Sequence, residues 1–465
     1  MFAERPASFF GRGNELKKLE SLYGSGKFEC VAVHGRLRAG VTALLREFAK
    51  GKKAAYFSAQ ETSPGGNLED FQPVLSAFFQ EPEWGGNLSG SYENMFGSIF
   101  GASKSERFAV IIDDYQYLAA ASRGISELIC GQIDAWRENS RLMLIIGGSS
   151  EPAMEREALG YGSPFHGRRT AQIKLEPFNF FEVKRYYEAY SPFDAAVLYG
   201  VTGGVPAYLE LMDPELPIEE NIRRAFFNPA SPLFEEPANF LRRETREPAF
   251  YAAVLRAIAE GSSKNSEIAA KTGLETSACT AYLKNLISLG IVARYTPVTE
   301  KAGKKTAYEI EDNFFRFWYR FVPAHVSSIQ SGMAEKIWRN VACEIPDYMG
   351  KVFCDICRQW MEQQNHAGSL PAGFVEIGRW WGADPIWRTD VFLPIVAYSG
   401  DEHAAFGDCV WSDGPAGAEA LNNLIERSRL FRYSNKYLYL FSRSGFTDEC
   451  ADLAGRTGAN LVTFE

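Results

Sequence analysis

The sequence predicts an α/β domain with a parallel sheet flanked by helices, then a helical region closing on a short hairpin, then a second α/β domain. Three observations carry this. Apolar runs at 28–34, 108–114 and 142–146 alternate with stretches of helical apolar spacing, the signature of a doubly wound parallel sheet. Helical segments at 251–259, 265–272 and 275–289 precede strand-like 291–295 and 307–310. A dense aromatic stretch at 312–321 opens a further set of apolar runs. At roughly 100–200 residues per domain, 465 residues allow about three domains, with expected bounds 1–200, 201–322 and 323–465.

Composition narrows the class. Hydrophobic residues at 46% and charged residues at 23% are ordinary for a globular chain, and 14% aromatics argue against disorder. A net charge of −9 supplies no global basic field, so contact with nucleic acid requires a local patch. Among the 8 cysteines only Cys354 and Cys357 form a CxxC, and no second pair completes a zinc site. They read as buried free thiols of a reducing, cytoplasmic compartment. Residues 1–10 include Glu4 and Arg5 and lack the apolar core of a signal peptide. No apolar run reaches the ~18 residues of a membrane span.

The first apolar run ends at Gly35-Arg36-Leu37-Arg38-Ala39-Gly40-Val41-Thr42. A phosphate-binding loop needs glycines so that backbone N–H groups wrap an anion at a helix N-terminus. Gly35 and Gly40 have that spacing, and Thr42 stands where a hydroxyl holds Mg²⁺. Val41 occupies the position of the lysine that reaches the β- and γ-phosphates. Arg36 and Arg38 are alternative cations, although guanidinium is not an equivalent donor. Taken alone, the loop also fits an ordinary glycine turn. The second run strengthens the nucleotide reading, because a buried strand ending in Asp113 supplies a Mg²⁺ ligand beside such a loop. Asp114 falls where a carboxylate polarises attacking water, one methylene shorter than the usual Glu. Ser149, after the third run, is placed to sense a γ-phosphate.

These segments, in this order, resemble the archaeal-type ATPases, a STAND branch of AAA+-like P-loop NTPases. Phe10-Gly11-Arg12-Gly13-Asn14-Glu15-Leu16 is similar to the family's F-x-G-R-x-x-E-L box beside the adenine. The loop is similar to G-R-R-R-x-G-K-T, and Asp113-Asp114-Tyr115-Gln116-Tyr117-Leu118 to D-E-[FY]-Q-x-L. Gly167-Arg168-Arg169 and Gly203-Gly204-Val205-Pro206 also match; the latter resembles a G-x-P turn that touches nucleotide. The resemblance implies ATP or ADP with Mg²⁺ as ligands, Gly11, Arg12 and Pro206 as nucleotide contacts, and Arg168 as a phosphate sensor at a boundary. Arg168 and Arg169 equally fit a solvated basic pair with carboxylate partners.

The central helices and strands read as a winged helix, with Gly273 in the helix-turn-helix turn. Its third helix offers Thr276, Ser277, Thr280 and Lys284 to a DNA groove, and the wing offers Lys301, Lys304 and Lys305 to phosphate. The alternative is a clamp between domains. The stretch 312–321 resembles the D-N-F-x-R-F-W-Y-x-F signature that opens the family's C-terminal domain, which is similar to the PD-(D/E)xK nuclease, or restriction-endonuclease-like, fold. There the metal-binding Asp has become Pro394, the Glu Asp408 and the Lys Val410, while Cys354 replaces a helical Glu beside Asp355. A divalent cation needs several oxygen ligands, so the expectation is a retired metal site. The favoured function is a nucleotide-binding switch with weak or absent hydrolysis. A scaffold binding another protein and a DNA-binding regulator are the alternatives.

Overall fold

A computed structural model describes residues 9–80, 90–298, 305–384 and 388–464. Lys301 and Lys304 lie outside them. The contacts separate two compact units. One runs to Pro177 and takes in 205–207; the other comprises 178–204 and the chain from Tyr208 onward.

The first unit is built on β1 (Glu29–Gly35), β2 (Ala54–Ser58), β3 (Phe108–Asp113), β4 (Leu142–Gly148) and β5 (Ala171–Leu175), all parallel in the order β2-β3-β4-β1-β5. β1, β3 and β4 are buried along their whole length, as expected where helices cover both faces. The alternation of strand side chains divides the core in two. Ala109 and Ile111 pack with Leu19 of α1 (Gly13–Gly24) and Leu44, Leu45 and Phe48 of α2 (Val41–Ala49). Val110 and Ile112 pack on the other face with Phe71 of α3 (Gly66–Phe79) and Phe96 of α4 (Tyr92–Ala102). Leu118 of α5 (Tyr115–Ala121) and Ile129 of α6 (Ile125–Trp136) complete that face. Because β4 lies between β1 and β3, the ends of all three strands meet at one edge. In open α/β sheets that carboxyl edge is where ligands bind.

The second unit begins with helices, including α7 (Pro192–Thr202). Its winged helix comprises α8 (Pro248–Ala259), α9 (Asn265–Thr272) and α10 (Thr276–Ser288), with β6 (Val292–Tyr295) antiparallel to β7 (Ala307–Ile310). Gly273 ends α9 at φ 69°, where glycine carries no Cβ penalty. The aromatic stretch forms α11 (Asn313–Phe321), whose N-terminus is capped by the Asp312 side chain, accepting from Phe315 N at 3.0 Å. Its rings enter the helical core: Phe314 lies 4.4 Å from Tyr208, and Phe317 4.8 Å from Phe226.

α12 (Ile345–His366) then packs on a mixed sheet of β8 (Glu376–Ala383), β9 (Asp390–Ser399), β10 (His403–Val410), β11 (Asn435–Ser442) and β12 (Asn460–Thr463), ordered β12-β11-β10-β9-β8. β8, β9 and β10 are antiparallel, whereas β10, β11 and β12 are parallel. Pro394 lies where the β8–β9 register shifts between Gly378 and Trp380, beyond the last β9–β10 pair at Ile395. A proline without an N–H is tolerated at such a bulge.

Candidate nucleotide-binding site

Gly35 ends β1 against β5: a Cβ there would stand 2.5 Å from Leu175 O. The loop then turns, with Ala39 N donating to Arg36 O at 3.0 Å. Arg38 (φ 73°) and Gly40 (φ 98°) are left-handed. Arginine in that region is uncommon and costs of order 1–3 kcal/mol, a cost that clusters at functional sites. Gly40 is the N-cap of α2 and gives no side-chain cap, so N–H groups of the first turn stay available to an anion. Arg12 is buried, and its Nη2 donates to Ala39 O at 2.9 Å and Glu176 O at 2.7 Å. The Gly11–Arg12 box thus ties the crown of the loop to the residue after β5. Val41 is 4% exposed and packs in the core with Leu44 and Leu45. Arg36 is buried, Arg38 exposed and Thr42 half-buried on the first turn of α2.

Asp113 is buried at the end of β3. Its Oδ2 accepts from the Tyr56 hydroxyl at 2.5 Å, and its Oδ1 from Asp114 N at 2.9 Å. Burial, reinforced by that hydrogen bond, pushes the Tyr56 hydroxyl well above its ordinary pKa and keeps it a donor. Gly147 allows the close approach: a Cβ there would lie 2.5 Å from Leu45 Cδ1 and 3.1 Å from Asp113 Oδ1. Asp114 turns the chain at φ 53°. Its Oδ1 accepts from Gln116 Nε2 at 2.9 Å and from Ser149 Oγ at 3.3 Å. Asp114 and Ser149, 35 residues apart, therefore meet at the edge that carries Asp113. Among the described residues no donor reaches Gln116 Oε1, a buried acceptor in that cluster.

The deciding comparison is with an uncharacterized protein of Methanocaldococcus jannaschii, 30% identical over 406 residues, 87% of this chain and 88% of that protein. Residues 9–212 match a family described as an ATPase domain predominantly from Archaea. The chain belongs to this archaeal-type ATPase family. A Walker-type ATPase of Pyrococcus abyssi superposes with a TM-score of 0.54 at 19% identity, over 68% of this chain and 97% of that one, which shows a shared fold. Residues 253–293 match a winged helix-turn-helix DNA-binding family, and 318–423 a family described as Archaea bacterial proteins of unknown function.

Some expected residues of this ATPase-family chain stand elsewhere. Arg168 precedes β5, near Thr170, whose N–H bonds Cys30 O at the start of β1. The phosphate loop lies five strand residues further on, roughly 16 Å at ~3.3 Å per residue. The Arg168 guanidinium is engaged by Asp134 (Nη2 to Oδ2 2.6 Å) and by Pro164 O at 2.7 Å. It therefore stands at the amino edge of the sheet, away from the loop. Pro206 opens a short helix, Pro206–Leu209, after left-handed Gly203 and Gly204. Lys284 is exposed on α10, whereas Lys305 Nζ rests 5.7 Å over the Trp380 ring of β8. No helix among the described residues is long and apolar enough to cross a membrane.

Sequence reasoning missed a second polar cluster, inside the second unit. Asp355 accepts from Arg316 (3.0 Å) and Arg358 (2.5 Å) and lies 3.4 Å from Arg379. Burial alone would raise this carboxyl, but Arg358, Arg316 and Arg379 hold it well below the usual carboxylate range. Arg379, at the β8 bulge, reaches Glu309 of β7 at 2.6 Å and lies over the Tyr295 ring at 4.0 Å. Its carbonyl accepts from Val298 N at 2.8 Å. These contacts seat the hairpin of the winged helix on β8. Asp408 is paired with Arg427 at 3.0 Å. Both acids near the expected metal positions thus face arginines, and the described residues hold no metal-ready group of three His, Cys, Asp or Glu. In sequence, only the aromatic signature 312–321, which contains Arg316, and Asp355 beside Cys354 marked this region.

Proposed function

We propose that the first unit binds ATP or ADP at the 35–42 loop, turns it over weakly or not at all, and uses the bound state to switch the winged helix. The backbone of the loop carries this reading. Gly35 leaves no room for a side chain, Arg38 and Gly40 are left-handed, and the N-terminus of α2 has no side-chain cap. Left-handed residues leading into an uncapped helix start are the kind of backbone that nests a phosphate. Gln116 Oε1 supports the fit, since a buried acceptor without a donor calls for a ligand or its water. Where Mg²⁺ accompanies the nucleotide, Thr42 and Asp113 are the residues that would hold it, with Arg36 and Arg38 beside the phosphates and Ser149 facing the γ position.

Weak turnover rests on two features. Val41 lies in the core and brings no ammonium to the phosphates. Asp114 is already committed to Gln116 and Ser149, and small misplacements of a water-activating group are costly in rate. Calorimetric titration with ATP and with ADP, each with and without Mg²⁺, tests the reading. Micromolar binding supports it and makes Val41→Lys the variant to assay for gained hydrolysis. No heat at millimolar nucleotide sinks it and leaves the scaffold reading. Scattering curves that coincide with and without saturating nucleotide would remove the switch alone.

The winged-helix match supports a second reading, DNA binding through α10 and the wing. It predicts a salt-dependent duplex complex that weakens when Lys284, Lys301, Lys304 and Lys305 become Glu. Unchanged mobility of mixed-sequence duplex at low salt would refute it. The C-terminal sheet fits descent from a nuclease-like fold whose acids now pair with arginines, and the absence of Mg²⁺-dependent DNA cleavage is its expected outcome.

A further inference from the structure

We infer that Arg46 is a phosphate-facing cation of the nucleotide site and relieves its need for a divalent metal. The inference rests on the nucleotide reading above. Arg46 stands four residues after Thr42 on α2, which places both on one helix face. Helical side chains lean toward the N-terminus, the direction in which Thr42 and the loop lie. The Arg46 guanidinium lies 5.8 Å from the centroid of the Tyr56 ring. The Tyr56 hydroxyl is the one bonded to Asp113 Oδ2. Arg46 is exposed, and no carboxylate among the described residues pairs with it within 4.0 Å.

The chain Arg46–Tyr56–Asp113 ends on one of the two residues that would hold a divalent ion. Tyr56 and the Asp114 N–H already take one oxygen each of Asp113, which leaves that carboxylate less free for metal-bound water. A guanidinium there offers several N–H donors to phosphate oxygens, a geometry that suits it to bidentate recognition. It also places positive charge near the phosphates, where Val41 supplies none.

The test is titration of the full chain with ATP in Mg²⁺ and in EDTA, with Arg46→Gln and Tyr56→Phe beside the wild type. The expected result is a wild-type affinity that changes less than threefold between the two buffers. Arg46→Gln then loses at least tenfold in both. Tyr56→Phe binds more strongly in Mg²⁺ than in EDTA, because Asp113 is released to the hydrated metal. Wild-type binding that requires Mg²⁺, or an Arg46→Gln affinity equal to wild type, overturns the role of Arg46 while leaving nucleotide binding intact. Absence of wild-type binding in both buffers overturns the nucleotide reading and this inference with it. Arg46 is exposed, so the substitution tests binding without opening the core; an unchanged melting temperature verifies this.

Discussion

Arg12 shows how a residue quoted for its place in a motif also takes a structural role in the fold. The motif resemblance placed it beside the adenine. Its buried guanidinium also holds two carbonyls, Ala39 O in the loop and Glu176 O after β5. Charge-assisted hydrogen bonds of this kind contribute about 1.5–3 kcal/mol each. Arg12→Ala is expected to destabilise the first unit by roughly 2–4 kcal/mol, read by denaturant unfolding. It should also weaken ATP binding by more than tenfold, since the loop loses its tether. A variant that unfolds like wild type would show that the loop is held by its own turn. Tyr56 gave no comparable signal in the sequence. It is one aromatic in a strand with a half-buried face, and only β2–β3 pairing brings it to Asp113.

At the scale of elements, two junctions decide local geometry. Gly204 is left-handed, and a Cβ there would stand 1.8 Å from Phe178 O, whose own N–H donates to Gly204 O at 2.8 Å. Backbone cannot yield as a flexible side chain would, so Gly204→Ala should lower the melting temperature markedly, while Gly203→Ala, 3.3 Å from its nearest neighbour, should cost less. Equal melting of the two variants would contradict this. The second junction joins β7 to β8 through Glu309. Burial would raise this carboxyl, but Lys351 and Arg379 depress it to about 2 from the ordinary 4.5. A depressed carboxyl contributes stability above its unfolded pKa and loses it as pH falls through the folded value. The winged-helix hairpin should therefore loosen between about pH 5 and pH 2. Glu309→Gln should flatten that part of the acid unfolding curve at a cost in stability near neutral pH. An acid limb identical to wild type would place the sensitivity elsewhere, with Asp355 the next carboxylate to replace.

For the whole molecule, the partition into two compact units predicts more than one cooperative transition in scanning calorimetry. Nucleotide should raise the transition of the unit carrying the loop. At a hundredfold excess over Kd, linkage contributes about 2.7 kcal/mol to the state that binds. A single transition unmoved by ATP would count against both the partition and the ligand. By contacts, residues 178–204 go with the second unit, although the match to the ATPase domain runs to residue 212. Residues 178–204 look like a continuation of the first region in sequence, but their helices pack with α11 and α12: Gly200 O accepts from the Tyr348 hydroxyl at 2.5 Å.

What the sequence determined by itself was local or periodic. The buried parallel strands, the glycines of the loop, the three helices of the winged helix and the aromatic stretch at 312–321 could all be read from spacing and residue type. Their order was enough to indicate the family. What only the tertiary structure decided depends on pairing across long separations. Strand order brought Ser149 onto Asp114 and Tyr56 onto Asp113, and it left Arg168 at the opposite edge from the phosphate loop. The bulge at Pro394 placed Arg379 between Glu309 and Asp355, and packing on β8 gave Lys305 an aromatic partner. A one-dimensional pattern sets which face of a strand or helix is apolar. It does not state which distant polar group will be buried beside it, because that depends on sheet register and on which charges can be neutralised once water is excluded.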